Sequence, residues 1–227
     1  MFSHNSNMGV FAAFSVIGLW FTSIFFLMSW EVNLTNPFVY IMILVQMHLY
    51  TGLFITAHDA MHGTVSQNRT FNNLIGQVCT LLYACFPFKN LYAKHHEHHR
   101  HVHTVKDPDY HSGGFFLWYF SFIKEYIAWW QIVLMAIIYN ILKIWISELN
   151  LLFFWVIPSL LSTLQLFYFG TWLPHHGDHD NQYQSRTQKK NHFFAFLSCY
   201  FFGYHYEHHD SPGTPWWQLW KLKNTPE

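Results

Sequence analysis

Three histidine clusters limit what this chain can become more than any other feature. They are His58-Asp59-Ala60-Met61-His62, His95-His96-Glu97-His98-His99 and His205-Tyr206-Glu207-His208-His209. Within each cluster histidines recur at i, i+3 or i+4, so on a helix their imidazoles leave one face about one turn apart. His58, His62, His95, His98, His99, His205, His208 and His209 supply eight nitrogen ligands. One tetrahedral zinc uses about four, so the set is enough for two metal ions. Imidazole suits iron, copper, zinc and nickel alike, and ligand type alone does not choose among them.

The chain around these clusters is apolar. Only 11% of its 227 residues are charged and 52% are hydrophobic, against about 25% charged in an ordinary soluble domain. Much of the surface is therefore expected to face something other than water. The formal net charge is zero, which removes any electrostatic case for nucleic acid as a partner. Cys79, Cys85 and Cys199 form no CxxC pair, so neither a disulfide framework nor a zinc knuckle is implied. The first eight residues carry no Lys or Arg, and the apolar run after them exceeds an h-region of about 7–15 residues. A cleaved signal peptide is not expected.

Four stretches reach the roughly 20 apolar residues a bilayer span needs: about 9–30, 38–57, 126–146 and 151–173. A fifth, 71–88, is shorter and contains Asn72, Asn73 and Gln77. It is the main link between the first and second clusters, which share metal only if they lie on one side of the membrane. The fifth stretch is thus expected to be re-entrant or interfacial. This arrangement puts the N-terminus, residues 58–125 and residues 174–227 on one face. Eleven of the twelve Lys and Arg fall there, Lys143 being the exception, and the positive-inside rule makes that face cytoplasmic. Sixteen of the eighteen histidines lie in residues 58–125 and 174–227; His4 is on the N-terminal tail and His48 inside the second span. No repeat of 20–50 residues and no low-complexity linker divides the chain. The expectation is one all-α domain over 1–227: a membrane bundle of four transmembrane helices and an interfacial helix, under a cytosolic histidine-rich cap. Residues 221–227 are expected to fray.

The chemistry narrows by exclusion. Zinc hydrolases carry HExxH with a glutamate base, and that motif is absent because Glu97 and Glu207 are each followed directly by two histidines. The Glu-x-x-His pattern of carboxylate-rich di-iron bundles is missing as well. What remains is an all-nitrogen site suited to a redox metal, in a position that implies a lipid-soluble substrate. The chain has no Gly-rich dinucleotide fingerprint, so electrons must come from a separate donor.

HxxxH, HxxHH and HxxHH around four spans resemble the membrane fatty acid desaturase/hydroxylase superfamily. Finer elements resemble the β-carotene ketolases: Phe167-Tyr-Phe-Gly-Thr-Trp-Leu-Pro-His175, Lys94–Thr104 followed by Asp107-Pro-Asp-Tyr110 and Gly113-Gly114, and Phe202–His209 followed by Ser211-Pro-Gly-Thr-Pro-Trp-Trp217. The resemblance covers roughly residues 40 to 220. The three boxes give only the superfamily; the Leu-Pro-His and Pro-Trp-Trp elements are more specific. It implies two irons, O2 as co-substrate, a carotenoid substrate, an electron donor such as ferredoxin, and oxidation of C4 of a β-ionone ring to a ketone. It implies a bacterial plasma or thylakoid membrane, with the site on the cytoplasmic face. It also adds His175 to the eight box histidines as a ninth ligand.

Asp59, Asp107 and Asp109 are candidate acceptors that orient imidazole N–H groups, although the two aspartates around Pro108 could equally shape a turn. His48 would sit roughly 15 Å deeper than His58 along a helix, either hydrogen-bonded to Gln46 or Gln165 or facing substrate. His96, His101, His103, His176 and His179 stay open between loop and supporting roles. Trp118, Tyr119, Trp129 and Trp130 read as an interfacial belt, and Trp216 and Trp217 as belt or ring pocket. Two residues depart from the family pattern: Asp210 stands where an apolar residue is usual and Trp220 where proline is usual. Rival readings are a carotenoid ring hydroxylase, a fatty acyl desaturase and a non-catalytic carotenoid or metal carrier.

Overall fold

The structure is a computed structural model and describes residues 6–223. The His4 tail and residues 224–227 of the segment expected to fray lie outside the described residues. Among those residues the chain is all helical. Helices α1 (Ser6–Met28) and α2 (Pro37–Met61) form an antiparallel pair. Asn36 starts α2 by accepting from the Phe38 amide at 3.1 Å, with Pro37 in the first turn, where a missing N–H costs nothing. The carbonyls ending α1 are met from a distance: Asn150 Nδ2 donates to Leu27 O at 2.6 Å and to Trp30 O at 2.5 Å.

Helix α3 (Arg69–Ala84) covers the interfacial stretch expected at 71–88. It turns back through Cys85, in the left-handed region at φ 57°, into α4 (Phe88–His101). The polar residues of that stretch serve backbone. Asn72 Nδ2 donates to Ala60 O at 2.7 Å near the end of α2. Gln77 donates to Phe86 O at 3.3 Å and accepts from the Phe88 amide at 3.2 Å, closing the α3–α4 turn.

The stretch expected as a third span, 126–146, is not one straight helix. Helix α5 (Phe115–Tyr126) meets α6 (Trp129–Leu142) at a bend of 82°, because Ile127 and Ala128 are extended. No proline or glycine marks the break. Its anchors are tertiary: Tyr126 donates to Asp109, Gln131 to Ala84 O, and Lys94 pairs with Glu125. At 14 residues, α6 is only about 21 Å long.

Helix α7 (Glu148–His175) is longer than the expected 151–173 and is continuous. It contains two π turns, Leu152–Val156 and Tyr168–Trp172, each ending two residues before a proline, Pro158 and Pro174. A helical proline lacks an N–H and crowds the carbonyl four residues back; the wider π turn gives that carbonyl room. The short helices α8 (His192–Cys199) and α9 (His205–Asp210) follow, then α10 (Leu219–Leu222).

Three helices are long and apolar enough to cross a membrane, or four if the bent α5–α6 pair counts as one. Their outward faces carry large apolar side chains such as Phe25, Leu44 and Trp129, far more than water-facing surfaces normally expose. Inside, polar groups link the helices: Ser23 donates to Gln46, and Thr51 joins Ser162 and Gln165. Gln165 in turn donates to Ser198 O on α8. These glutamines do not bond His48, whose ring instead stacks on Tyr200 at 4.3 Å. Trp118 also departs from expectation: it is buried and donates to Asp109 O, whereas Trp129 and Trp130 stay exposed like belt residues. Lys143, the isolated basic residue, lies 2.5 Å from Glu148; so exposed a pair contributes little to stability.

Gly9 on α1 lies against the backbone after α2, where a Cβ would stand 2.3 Å from Val65 O. Helix propensity alone would make Gly9→Ala stabilising by up to about 1 kcal/mol. Overlap with backbone that cannot rotate away costs about 1–3 kcal/mol, so the sign reverses. Gly9→Ala should lower the thermal midpoint in detergent micelles.

Candidate metal centre

Four segments bring histidines to one end of the bundle. His58 is on the last turn of α2 and His62 caps it. His95, His98 and His99 line α4, His175 ends α7, and His205, His208 and His209 lie on α9. All nine candidate ligands fall into two groups: His58, His62, His95, His99 and His208, and His98, His175, His205 and His209. Within each group the ligand atoms lie within 4.8 Å of one another.

The HxxHH spacing produces this division. On a helix, i+4 lies about 40° to one side of i and i+3 about 60° to the other. On α4 the i, i+4 pair His95 and His99 joins the first group, while His98 turns to the second. On α9 the assignment is mirrored: His205 and His209 join the second group and His208 the first. Each of these boxes therefore ties the two groups together.

Imidazole nitrogens face one another closely. The Nε2–Nε2 distances are 2.7 Å for His62–His95 and 3.1 Å for His99–His208. In the second group they are 2.9 Å for His175–His205, 3.0 Å for His205–His209 and 3.2 Å for His98–His209. Two nitrogens bound at right angles to one metal at about 2.1 Å stand about 3.0 Å apart. His58 is buried with both ring nitrogens unpartnered, and His205 Nδ1 is unpartnered as well. Buried polar atoms are rarely left so. The residues present fit a metal in each group. Burial, with help from neighbouring histidines, holds His95, His205, His208 and His209 well below the usual histidine pKa. The same causes lower His62 to about 3 and His99 to about 2. Neutral imidazole is the form that binds metal.

The supporting contacts differ among the three aspartates. Asp107 Oδ1 accepts from His98 Nδ1 at 2.9 Å and from the Asp109 amide at 2.9 Å; Oδ2 accepts from the His103 amide at 2.8 Å. Burial opposes its charge, but His98 holds its carboxyl below the ordinary value. Burial also disfavours charge on His98, yet Asp109 and Asp107 raise its pKa. Asp109 stands 3.8 Å from His98 and accepts from Tyr126; burial pushes it up to about 6. Asp59 has another partner. It lies 3.8 Å from His58 Nδ1, beyond a hydrogen bond, and accepts from the Trp216 amide at 3.1 Å. That bond fastens the C-terminal Pro-Trp-Trp segment to the end of α2, and Trp216 packs on Tyr200 and Phe196.

Gln184 is an unanticipated contributor. Its carbonyl accepts from His175 Nδ1 at 2.9 Å, from a residue at φ 44°. A backbone acceptor leaves no sequence signal. His103 also has positive φ, 61°; strained backbone of this kind clusters around functional groups. Of the histidines left open, His96 stacks on Tyr92, His176 on Trp172, and His103 lies against Tyr110; none joins either group. Asp210 accepts from Tyr183 at 3.2 Å, and Trp220 donates to Trp217 O at 3.0 Å.

A cavity of about 510 Å³ reaches His58, His95, His98 and His205 at one end. Elsewhere its wall includes Ile132 on α6 and Leu160 on α7, each 60% exposed on the apolar outer face. Phe202, edge-on to His58 at 4.5 Å, belongs to the histidine end.

Fold and site together define a helical, apolar protein with two histidine groups that fit metal ions beside a mainly apolar cavity. The chain belongs to the fatty acid desaturase family, whose model matches residues 34–145 and 116–225. It is similar to beta-carotene 4-ketolase 3 of Haematococcus lacustris, 42% identical over 184 residues, 75% of this chain and 58% of that protein. The beta-carotene ketolase of Paracoccus sp. (strain PC1) is 41% identical over 183 residues, 78% of this chain and 76% of its own length. Zeaxanthin 4-ketolase of Chlamydomonas reinhardtii is 36% identical over 94% of this chain and 51% of its own. The chain thus spans little more than half the length of the algal relatives. No solved structure matches it.

Asp107→Ala removes the acceptor that orients His98. Losing such a partner typically lowers metal affinity about 10–100-fold. Metal retained by the purified variant against a chelator should fall by that order, while helicity by circular dichroism is kept.

Proposed function

We propose that this protein is a membrane oxygenase that converts the C4 methylene of a β-ionone ring to a ketone, taking β-carotene through echinenone to canthaxanthin. One observation carries the reading: nine histidines gather at one end of the bundle, and four of them, His58, His95, His98 and His205, line a mainly apolar cavity whose wall also includes exposed residues of α6 and α7. The chain's similarity to ketolases supplies the substrate class.

His58, His62, His95, His99 and His208 would hold one iron, and His98, His175, His205 and His209 the other. When bound, the irons supply O2 activation and the oxidising power. The chain's own residues do the rest. Asp107 and the Gln184 carbonyl fix the Nδ1 protons of His98 and His175, leaving Nε2 free as donor atom. The apolar wall excludes water and seats the ring. Each round inserts one oxygen atom into a C4–H bond and consumes one O2, two electrons and two protons, releasing one water. Two rounds at the same carbon give a geminal diol, which loses water to leave the ketone. In this reading the electrons come from a separate one-electron donor such as ferredoxin.

In this reading residues 1–227 form one domain with four spans, counting the bent α5–α6 pair as the third. The histidine cap lies on the cytoplasmic face of a bacterial plasma membrane or a thylakoid membrane. Eleven of the twelve basic residues support that side. A hydroxylated ring is the second reading, favoured by the similarity to a zeaxanthin 4-ketolase along most of the chain.

Pigments from bacterial cells making β-carotene and this protein provide the test, separated chromatographically with mass detection. A red-shifted product with a carbonyl mass is expected, and His208→Ala should abolish it. A C4 alcohol as sole product would make the protein a hydroxylase. Unchanged β-carotene in cells with iron and a reduced ferredoxin would overturn the reading.

A further inference from the structure

The cavity wall is mainly apolar, with Gln131, Asn140, Ser159 and Thr163 as polar members along the helices, and it has a second polar region near the histidines. There, besides ligand histidines, it includes Asp109 and Tyr126. The two are joined, Tyr126 Oη donating to Asp109 Oδ1. Asp109 is fixed on three further sides: its amide donates to Asp107 at 2.9 Å, its carbonyl accepts from the Trp118 indole at 2.5 Å, and its Oδ2 stands 3.8 Å from His98 Nδ1. That Oδ2 has no hydrogen bond among the described residues. Tyr126 sits at the α5–α6 break, where the 82° bend turns it toward the loop. A phenolic oxygen that donates one bond keeps lone pairs to accept another. The pair is therefore a fixed hydrogen-bond acceptor, placed beside a ligand histidine in a cavity that otherwise suits hydrocarbon.

We propose that Tyr126 and Asp109 bind the hydroxyl of the C4 alcohol formed in the first round, and so decide that the product is a ketone. The inference rests on the ketolase reading. A hydrocarbon ring gains nothing from this acceptor, but its first product does. An alcohol without a partner in an apolar cavity is left unsatisfied and departs readily. Donated to Tyr126 Oη or Asp109 Oδ2, the hydroxyl is drawn to one side of C4, and the remaining C4–H is turned to face the histidines. The second round then converts that C–H to C–OH with one O2, two electrons from the ferredoxin-type donor and two protons, releasing water. The resulting diol eliminates a second water.

The test compares Tyr126→Phe with wild type in β-carotene-making cells, reading the ratio of C4-hydroxy to C4-keto products and the iron content of the purified protein. With one hydrogen bond to a neutral hydroxyl lost, the ratio should rise about two- to tenfold at unchanged iron. Asp109→Asn, which keeps the shape and weakens the acceptor, should move it the same way. A wild-type ratio in both iron-loaded variants overturns the inference while the ketolase reading stands. Wild type that forms no C4 ketone overturns both.

Discussion

Nine imidazoles facing one another inside protein are the constraint on which the rest of this structure depends. Nitrogens 2.7–3.2 Å apart in rings that are mostly held neutral by burial cannot all be satisfied by each other, since each neutral ring has one N–H and one acceptor. An unsatisfied buried group costs about 1–3 kcal/mol, and His58 alone leaves two such atoms. Metal coordination contributes on the order of 10 kcal/mol in small histidine- and cysteine-ligated domains. A bound cation would satisfy these nitrogens together, and the helices gather them within its reach.

That organisation uses helix ends. α2 and α7 deliver His62 and His175 at their C-termini, where the helix dipole favours positive charge. α4 and α9 then cross both groups, so the groups cannot separate without unwinding a helix. The π turn before Pro174 belongs to the same device, because it changes the rotation of the last turn and hence the direction of His175. Gly170, inside that turn, leaves a Cβ position only 3.2 Å from Phe202, the ring that in turn packs on His58 and His208.

Polar contacts elsewhere have a similar economy. Asn72, Gln77 and Asn150 look misplaced in apolar sequence, yet each meets backbone groups at a helix end. In an apolar surrounding those groups have no water to turn to. The α5–α6 bend follows the same logic in reverse. Its extended residues are tolerated because Tyr126, Gln131 and Glu125 are each tied to a different part of the protein. The bend then gives the cavity its polar corner.

The eight box histidines, the helical class and the apolar helices were legible in the sequence because they rest on local periodicity, whereas His175 was reached only through the resemblance of the Leu-Pro-His element. HxxxH and HxxHH put imidazoles on one helical face whatever the helix packs against, and long apolar runs mark where helices lie, though not where 126–146 breaks. Asp107 was a candidate acceptor alongside Asp59 and Asp109, and only the folded loop after α4 singled it out as the partner of His98. The division of ligands into five and four, the partner of Asp59, the stacking of His48, the burial of Trp118 and the break after Tyr126 were not legible. Each depends on which surface of a distant segment arrives opposite, and side-chain chemistry alone does not carry that information. The sequence by itself determined which imidazoles leave each helix on one face; only the tertiary structure decided how they divide into two groups, because that division is set by the angles between packed helices.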